Sequence, residues 1–220
     1  MDTPLATNLI GMFYQPLKVY IDIDTWKTLP ERQIASGLSE TIKHACLGDS
    51  ELFTFLEENI EKVTALDTSA CEFIAEHNCA VKYKVVMADE RESGLREVLN
   101  LGHTVGRAIE TTSGYRLLHG EALAIGMIAQ AKLANKLGFL SDVNLYRVTK
   151  LYERAKLPVS IPDYIDKAEL IKKLYTDKKV RGGKLRFVFQ KEIGEMMCFG
   201  DNCYGKEIAE EEIAEIIKDM

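Results

Sequence analysis

The feature that most constrains the fold of this chain is a succession of helical segments whose ends are marked by proline or glycine. Pro30 opens a segment that reaches Leu47 and stops at Gly48, positions that suit proline at a helix start and glycine past a helix end. Gly114 and Gly138 follow two later segments in the same way. The pattern predicts a mainly helical chain. The predicted helices cover 30–47, 50–64, 68–88, 94–113, 119–136, a stretch beginning at Ser141, 166–176 and 207–218.

Two short segments have the character of strands. Residues 17–23 alternate in hydropathy, and residues 185–190 read Leu-Arg-Phe-Val-Phe-Gln. A chain of 220 residues that is 46% hydrophobic has material for one good core. The sequence contains no repeat and no Pro/Gly/Ser-rich linker. We therefore expect a single mainly α domain over residues 1–220, with short strands near 17–23 and 185–190.

A dinucleotide-binding unit is missing from this pattern. Such a unit needs a strand, a glycine-rich turn and a helix in close succession. The glycines of this chain lie within or after predicted helices, and Gly182-Gly183-Lys184 has neither the Walker spacing nor a preceding strand. If the protein uses NAD, the sequence predicts that the main NAD-binding domain is absent from this chain.

The net charge, the hydropathy and the cysteines of the sequence indicate which binding partners and which cellular location to expect. A net charge of −6 argues against a nucleic-acid surface, which needs a basic footprint. No run of about 18 apolar residues and no leader-like start occurs, so we expect no membrane partner. The five cysteines, Cys46, Cys71, Cys79, Cys198 and Cys203, form no C-x-x-C pair and read as reduced thiols. We expect a cytoplasmic protein.

A polar stripe lies in the predicted helix 94–113. Arg96, Asn100, His103 and Arg107 are spaced to stack along one helix face. A solvated polar face is the alternative explanation. However, the segment also contains three glycines, and each costs about 1 kcal/mol of helix stability relative to alanine. An exposed face has no reason to bear that cost, so the stripe is a candidate functional surface.

A second histidine opens the next predicted helix. Gly120 and Gly126 would let this helix pack closely on a neighbour, so that His119 and His103 could approach one ion. Glu40, on the first predicted helix, could supply a third ligand. One carboxylate with two imidazoles is a typical open zinc set. The spacing alone supports this set only weakly, because the three residues are far apart in sequence.

Other histidines and lysines have less distinctive positions. His44 and His77 lie within helices among mixed residues, where we expect solvated or hydrogen-bonded side chains rather than ligands. Lys43, Lys82 and the pair at 178–179 are, taken one at a time, expected to face solvent as most lysines do.

Several motifs together resemble 3-dehydroquinate synthase, a family of sugar-phosphate cyclases. They occur in the family's order and span nearly the whole chain. The motifs are residues 8–16 (NLIGMFYQP), 29–32 (LPER), 36–43 (SGLSETIK), 89–96 (DERESGLR), 99–104 (LNLGHT), 119–122 (HGEA) and 177–179 (DKK).

The resemblance implies a role for individual residues. It implies that Glu40, His103 and His119 bind zinc, or another divalent metal such as cobalt. It implies that Lys43, Lys82, Arg96 and Asn100 act in catalysis. The substrate contacts that we expect from it are Asn8, Lys43, Lys82, Arg96, Asn100, Lys178 and Lys179, with Lys178 favoured over Lys179. The helix face shared with Arg96 and Asn100 adds Arg107 to these contacts.

The resemblance also implies a reaction and a fold. The family converts a seven-carbon phosphorylated sugar acid (DAHP) into 3-dehydroquinate with release of phosphate, in the shikimate pathway that leads to chorismate and the aromatic amino acids. It is a phosphorus–oxygen lyase that uses NAD and a divalent metal. The chain would be the helical C-terminal domain, inactive alone, of an enzyme that is homodimeric at full length.

Two positions depart from the family pattern. Thr7 stands where the family has lysine, and Arg107 stands where it has a second histidine four residues after the metal-binding one. Alternatives therefore stay open: another sugar-phosphate cyclase of inosose or valiolone type, or a non-catalytic binding or assembly module. A metal-dependent alcohol dehydrogenase would share the architecture but would not need so many cations.

Overall fold

The computed structural model describes residues 10, 14–91, 94–176 and 185–220, and within them the chain is mainly helical, as predicted. The α-helices are α1 Glu31–Gly48, α2 Ser50–Thr64, α3 Thr68–Ala88, α4 His103–Thr112, α5 His119–Lys136, α6 Asp142–Arg154, α7 Lys167–Thr176 and α8 Glu210–Lys218. The 3-10 helices are Ile23–Thr28 and Leu95–Asn100, and the strands are β1 Leu185–Val188, β2 Gln190–Glu192, β3 Glu195–Met196 and β4 Gly205–Ile208. None of the described helices has the length and apolarity required to cross a membrane.

Helix α5 forms the centre of the molecule because it is apolar on nearly every side. Leu123 and Met127 pack into a core shared with α1, α2, α3 and α6. Ile125 and Leu133 pack into a second core with α4, α7, α8 and the β1–β4 pair. Each of these side chains is at most 1% exposed, and burial of one contributes about 1.5–3 kcal/mol. Helix α5 thereby fixes the positions of α1 and α4, which flank its first turn.

Two glycines allow the close packing that the sequence predicts for α5. A Cβ atom on Gly126 would lie 2.6 Å from the backbone nitrogen of Gly106 in α4. A Cβ atom on Gly120 would lie 2.7 Å from the Cα atom of Ser36 in α1. Real Cβ atoms do not approach other atoms so closely, so only glycine lets the start of α5 lie against both helices.

The predicted helix 94–113 is wrong as a single helix. The buried Asp89 accepts hydrogen bonds from the backbone nitrogens of Gly94 and Arg96, at 2.8 and 3.0 Å, and a 3-10 helix follows. Leu101 then leaves the helical conformation, and Gly102 adopts a left-handed φ of 75°. Gly102 also donates its N–H to the buried Gln130. This turn redirects the chain before α4 begins.

The predicted strand at 17–23 is also wrong. Residues 17–22 are exposed and pair with no strand among the described residues. Asp22 instead accepts a hydrogen bond from the nitrogen of Asp24 and caps the 3-10 helix Ile23–Thr28. The strand prediction at 185–190 is confirmed, since β1 occupies 185–188. Its partner β4 takes up Glu207 and Ile208, so the last helix begins later than predicted.

Candidate metal centre and anion-binding cleft

Three potential metal ligands meet where α1, α4 and α5 come together. Glu40 lies in α1, and His103 and His119 are the first residues of α4 and α5. The Oε1 atom of Glu40 lies 3.4 Å from Nε2 of His103 and 3.3 Å from Nε2 of His119. One ligand atom from each residue can be chosen so that all lie within 4.8 Å of one another. Ligand atoms that each lie about 2 Å from one zinc ion are at most about 4 Å apart, so a small inward movement of these side chains would place all three on one ion.

The outer nitrogen of each imidazole has its own partner. Nδ1 of His103 lies 3.2 Å from the carbonyl oxygen of Leu101, which can only accept a hydrogen bond. Nδ1 of His119 lies 3.2 Å from Oε2 of Glu110. With a proton on each Nδ1, each Nε2 atom faces Glu40, where it can donate a hydrogen bond or, once it has lost its proton, bind a metal. Metal-binding histidines are held in this way by carbonyl and carboxylate partners.

A buried lysine completes the environment of Glu40. Nζ of Lys43 lies 2.6 Å from Oε2 of Glu40 and donates to the carbonyl of Leu99. Burial alone would raise the pKa of Glu40, but hydrogen bonds from His103 and His119 and the charge of Lys43 outweigh it and hold this pKa well below its usual range. Glu40 is therefore an ionised carboxylate, the form that binds metal.

The pKa values of Lys43 and His119, which both contact Glu40, are shifted in opposite directions. Burial lowers the pKa of Lys43, although the neighbouring carboxylate opposes the shift. The hydrogen bond to Glu40 raises the pKa of His119 despite partial burial, and Glu110 adds to this effect. A proton on His119 thus competes with any metal for the same nitrogen.

A cleft of about 440 Å³ opens beside the candidate ligands Glu40 and His103, which both line it. Four of its lining side chains carry positive charge, and Glu40 is the acidic one. Such a cleft suits a ligand that carries phosphate and carboxylate groups. The lining residues are Glu40, Lys43, His44, Lys82, Arg96, Leu99, Asn100, His103 and Arg107.

All four residues of the polar stripe predicted from the sequence line this cleft, although the predicted helix 94–113 is not continuous. Arg96 and Asn100 come from the 3-10 helix, and Arg107 lies one turn beyond His103 in α4. Nη1 of Arg96 donates to the carbonyl of Glu90 at 2.6 Å, which fixes the guanidinium at the rim. Lys82 and Arg107 have exposed side chains, whereas Lys43 is 4% exposed. The prediction that Lys43 faces solvent is therefore wrong.

Three predicted substrate contacts, Asn8, Lys178 and Lys179, lie outside the described residues. Sequence reasoning also missed two residues that shape the site. Glu110 holds His119, and its spacing of seven residues from His103 could have indicated one helix face. Asp89 organises the turn before Arg96, and no sequence signal short of the resemblance marks it.

The two remaining histidines are hydrogen-bonded, as predicted. Nδ1 of His77 lies 2.6 Å from Oδ2 of Asp49, the residue whose side chain caps α2. His44 pairs with Asn78 at 2.8 Å. The prediction left out that His44 also lines the cleft.

Comparison with known sequences identifies related proteins. The family model described as 3-dehydroquinate synthase C-terminal matches residues 37–180. A 3-dehydroquinate synthase from Nitrosococcus oceani is 48% identical over 193 residues, which cover 87% of this chain and 54% of that protein. One from Desulforamulus reducens is 46% identical over 195 residues, with 88% and 54% covered. The chain thus spans about half the length of these relatives.

Two solved structures share the fold. A 2-deoxy-scyllo-inosose synthase complexed with carbaglucose-6-phosphate, NAD⁺ and Co²⁺ aligns with a TM-score of 0.87 at 24% identity, over 99% of this chain and 60% of that one. A 2-epi-5-epi-valiolone synthase from Streptomyces hygroscopicus with NAD⁺ and Zn²⁺ bound aligns with a TM-score of 0.77 at 24% identity, over 90% and 54%. The family model covers well over half of the present sequence, and the chain therefore belongs to the 3-dehydroquinate synthase family, with the fold of its helical C-terminal domain.

Proposed function

We propose that this chain is the metal- and substrate-binding half of a 3-dehydroquinate synthase. In this proposal it acts on a seven-carbon phosphorylated sugar acid, with release of phosphate. The observation that carries the proposal is the direct contact between a three-ligand metal centre and a cationic cleft. Relatives at 46% and 48% identity that carry this name support the choice of reaction.

The donor set fits a catalytic divalent ion. One carboxylate and two imidazole nitrogens leave a coordination position open for a substrate oxygen, which suits zinc and is compatible with cobalt. When bound, the ion supplies Lewis acidity that polarises a substrate hydroxyl. Lys43 keeps Glu40 ionised and oriented, while Leu101 and Glu110 keep both Nε2 atoms aimed inward.

The cations of the cleft bind and orient the anionic ends of the substrate. Arg96 is held by the carbonyl of Glu90, so its guanidinium presents its donors with little loss of side-chain entropy. Lys82 and Arg107 place further positive charge at the open side, where an incoming phosphate arrives. Asn100 lines the same cleft and carries a side-chain amide.

NAD needs a different structure from the one described. Within residues 14–91, 94–176 and 185–220, the sheets are two antiparallel strand pairs, and a dinucleotide site needs a parallel sheet with a glycine-rich turn. We propose that NAD is bound mainly by a polypeptide corresponding to the half of the relatives that this chain does not span.

The test is a reconstitution. This chain is co-purified with the part of the Nitrosococcus oceani enzyme that it does not match, and phosphate release from the seven-carbon substrate is measured with NAD and zinc. We expect turnover from the combination and none from either part alone, because the metal site and the nicotinamide must face one substrate.

Two controls make this result decisive. The same N-terminal part combined with its own C-terminal half checks that the split enzyme can work. Glu40→Gln should abolish turnover in the hybrid, while Glu215→Gln, in an exposed pair with Lys136, should leave it unchanged. An active native split enzyme beside an inactive hybrid would contradict the proposal.

A second candidate reaction is that of an inosose- or valiolone-type cyclase. The observation that favours this candidate is the presence of Arg107. This arginine lies in the cleft where the family pattern has histidine. The hybrid is therefore assayed also with glucose 6-phosphate and with a seven-carbon ketose phosphate that lacks a carboxylate. Faster turnover of either compound than of the sugar acid would select this second reaction.

A further inference from the structure

His44 is held in one ring orientation by Asn78. Nδ2 of Asn78 donates to the carbonyl of Ile74 at 2.8 Å and to the hydroxyl of Thr41 at 3.0 Å. A backbone carbonyl only accepts, so this amide atom is the nitrogen, and the other must be the oxygen. That oxygen lies 2.8 Å from Nδ1 of His44. Nδ1 therefore carries a proton and donates.

This tautomer leaves Nε2 as an acceptor on the opposite edge of the ring. The ring lines the cleft, and its hydrogen bond within the described residues is the one made through Nδ1. Burial lowers the pKa of His44 to about 4, and the positive charge of Lys43 beside it adds to this shift. The ring is therefore neutral near pH 7, and Nε2 keeps its lone pair.

Side-chain acceptors are few in this cleft. Lys43, Lys82, Arg96 and Arg107 offer donors only, and besides Glu40 the lining acceptors are the amide oxygen of Asn100 and Nε2 of His44. The carboxylate of Glu40 already faces Lys43 and both metal-ligand histidines. A phosphate or carboxylate would use the cationic donors, but the hydroxyl groups of a sugar also need acceptors for their hydrogens.

We propose that Nε2 of His44 accepts a hydrogen bond from a hydroxyl group of the bound phosphorylated sugar acid and so selects polyhydroxylated ligands over bare anions. The inference rests on the proposed function, because it takes the sugar acid as the ligand of the cleft. A site built to bind a hydroxyl discriminates strongly against ligands that lack it, since its buried acceptor is then left unpaired.

The experiment uses the zinc-loaded chain labelled with ¹⁵N-histidine. Before any ligand is added, the His44 resonances should report a proton on Nδ1 and none on Nε2. Addition of the seven-carbon sugar acid phosphate should shift the Nε2 resonance as it becomes a hydrogen-bond acceptor. Sulfate, an anion with no hydrogen to donate, should bind the cations and leave that resonance in place.

Variants measure the consequence for affinity. By calorimetry, His44→Leu should weaken binding of the sugar acid phosphate about tenfold or more and leave sulfate binding unchanged. His44→Gln, whose side-chain oxygen can accept, should recover part of the loss. His77→Gln is the matched control because His77 pairs with Asp49, away from the cleft.

The outcomes separate this inference from the proposed function. If the parent chain binds the sugar acid phosphate but Nε2 does not shift, or if His44→Leu binds both ligands as the parent does, the role of His44 is overturned and the function stands. If the parent binds sulfate but no sugar acid phosphate, the proposed function fails and the role of His44 fails with it. Should His44→Leu not fold, the resonances of the parent chain decide.

Discussion

Glu110 sits behind His119, one of the three residues of the candidate metal centre. Its Oε2 atom lies 3.2 Å from Nδ1 of His119. We predict that Glu110→Gln weakens zinc affinity about 10- to 100-fold, because the ring loses the carboxylate that fixes its orientation and basicity. Chelator competition measures the change, with Glu215→Gln as the surface control. An unchanged affinity would mean that the contact has no influence on metal binding.

The raised pKa of His119 gives zinc binding a defined pH dependence. The metal needs the unprotonated Nε2 atom, so below that pKa each bound ion must displace a proton. We expect apparent affinity to fall with falling pH, starting above the ordinary histidine pKa of about 6.5. Glu40 should not contribute, because its pKa is held well below this range. Calorimetry in buffers of different ionisation enthalpy counts the protons, and no proton release near pH 6.5 would contradict the expectation.

Arg107 lines the cleft one turn beyond His103. A guanidinium keeps its charge across the accessible pH range, whereas an ordinary histidine loses its charge at about pH 6.5. In the reconstituted enzyme, Arg107→His should therefore introduce a loss of phosphate affinity between about pH 6 and 8 that the parent lacks. Matching pH profiles of parent and variant would show that this residue does not bind phosphate.

At the scale of single residues, the sequence predicted which groups would meet but not how they are held. The set of Glu40, His103 and His119 followed from resemblance, because spacing cannot show that three distant residues converge. Lys43 was expected at the surface because most lysines are. Its burial depends on the carboxylate of Glu40 and the carbonyl of Leu99, partners that only the folded chain brings together.

At the scale of elements, the packing of α5 against α4 depends on Gly126. We predict that Gly126→Ala lowers stability by about 2–3 kcal/mol, because the new methyl group must push the two backbones apart. The matched control is Gly37→Ala in α1, where a Cβ meets nothing within 4 Å. It should stabilise the chain by up to about 1 kcal/mol. Thermal unfolding of both variants tests the pair, and equal effects would contradict this account.

The helices indicated by hydrophobic periodicity and by residues typical of helix ends were predictable from the sequence. The structures of segments 94–113 and 17–23 were not. The segment 94–113 has helical spacing throughout, but Asp89, just before it, and Gln130, distant in sequence, bind its backbone and favour a 3-10 helix and a turn. The segment 17–23 alternates as a strand does, yet alternation forms no strand without a paired neighbour. In both segments the outcome depends on which partners the fold supplies or withholds, and periodicity alone does not reveal them.

At the scale of the whole molecule, the candidate metal centre forms only when the fold brings α1, α4 and α5 together. Helix α5 packs closely against α1 at Gly120 and against α4 at Gly126. These contacts fix the positions of His119 and His103, the first residues of α5 and α4. Metal binding should therefore stabilise the folded chain as a unit, since the unfolded chain holds these ligands far apart.

The most direct test of this account is a calorimetric titration of the chain with zinc, repeated on Glu40→Gln, His103→Gln and His119→Gln. We predict one bound ion per chain, and a loss of about 100-fold or more in affinity for each variant, because an open site has only three protein ligands to begin with. His77→Gln should bind zinc as the parent does. A parent chain that binds no zinc, or triad variants that bind it as tightly as the parent, would contradict the central claim that these three residues form a metal centre.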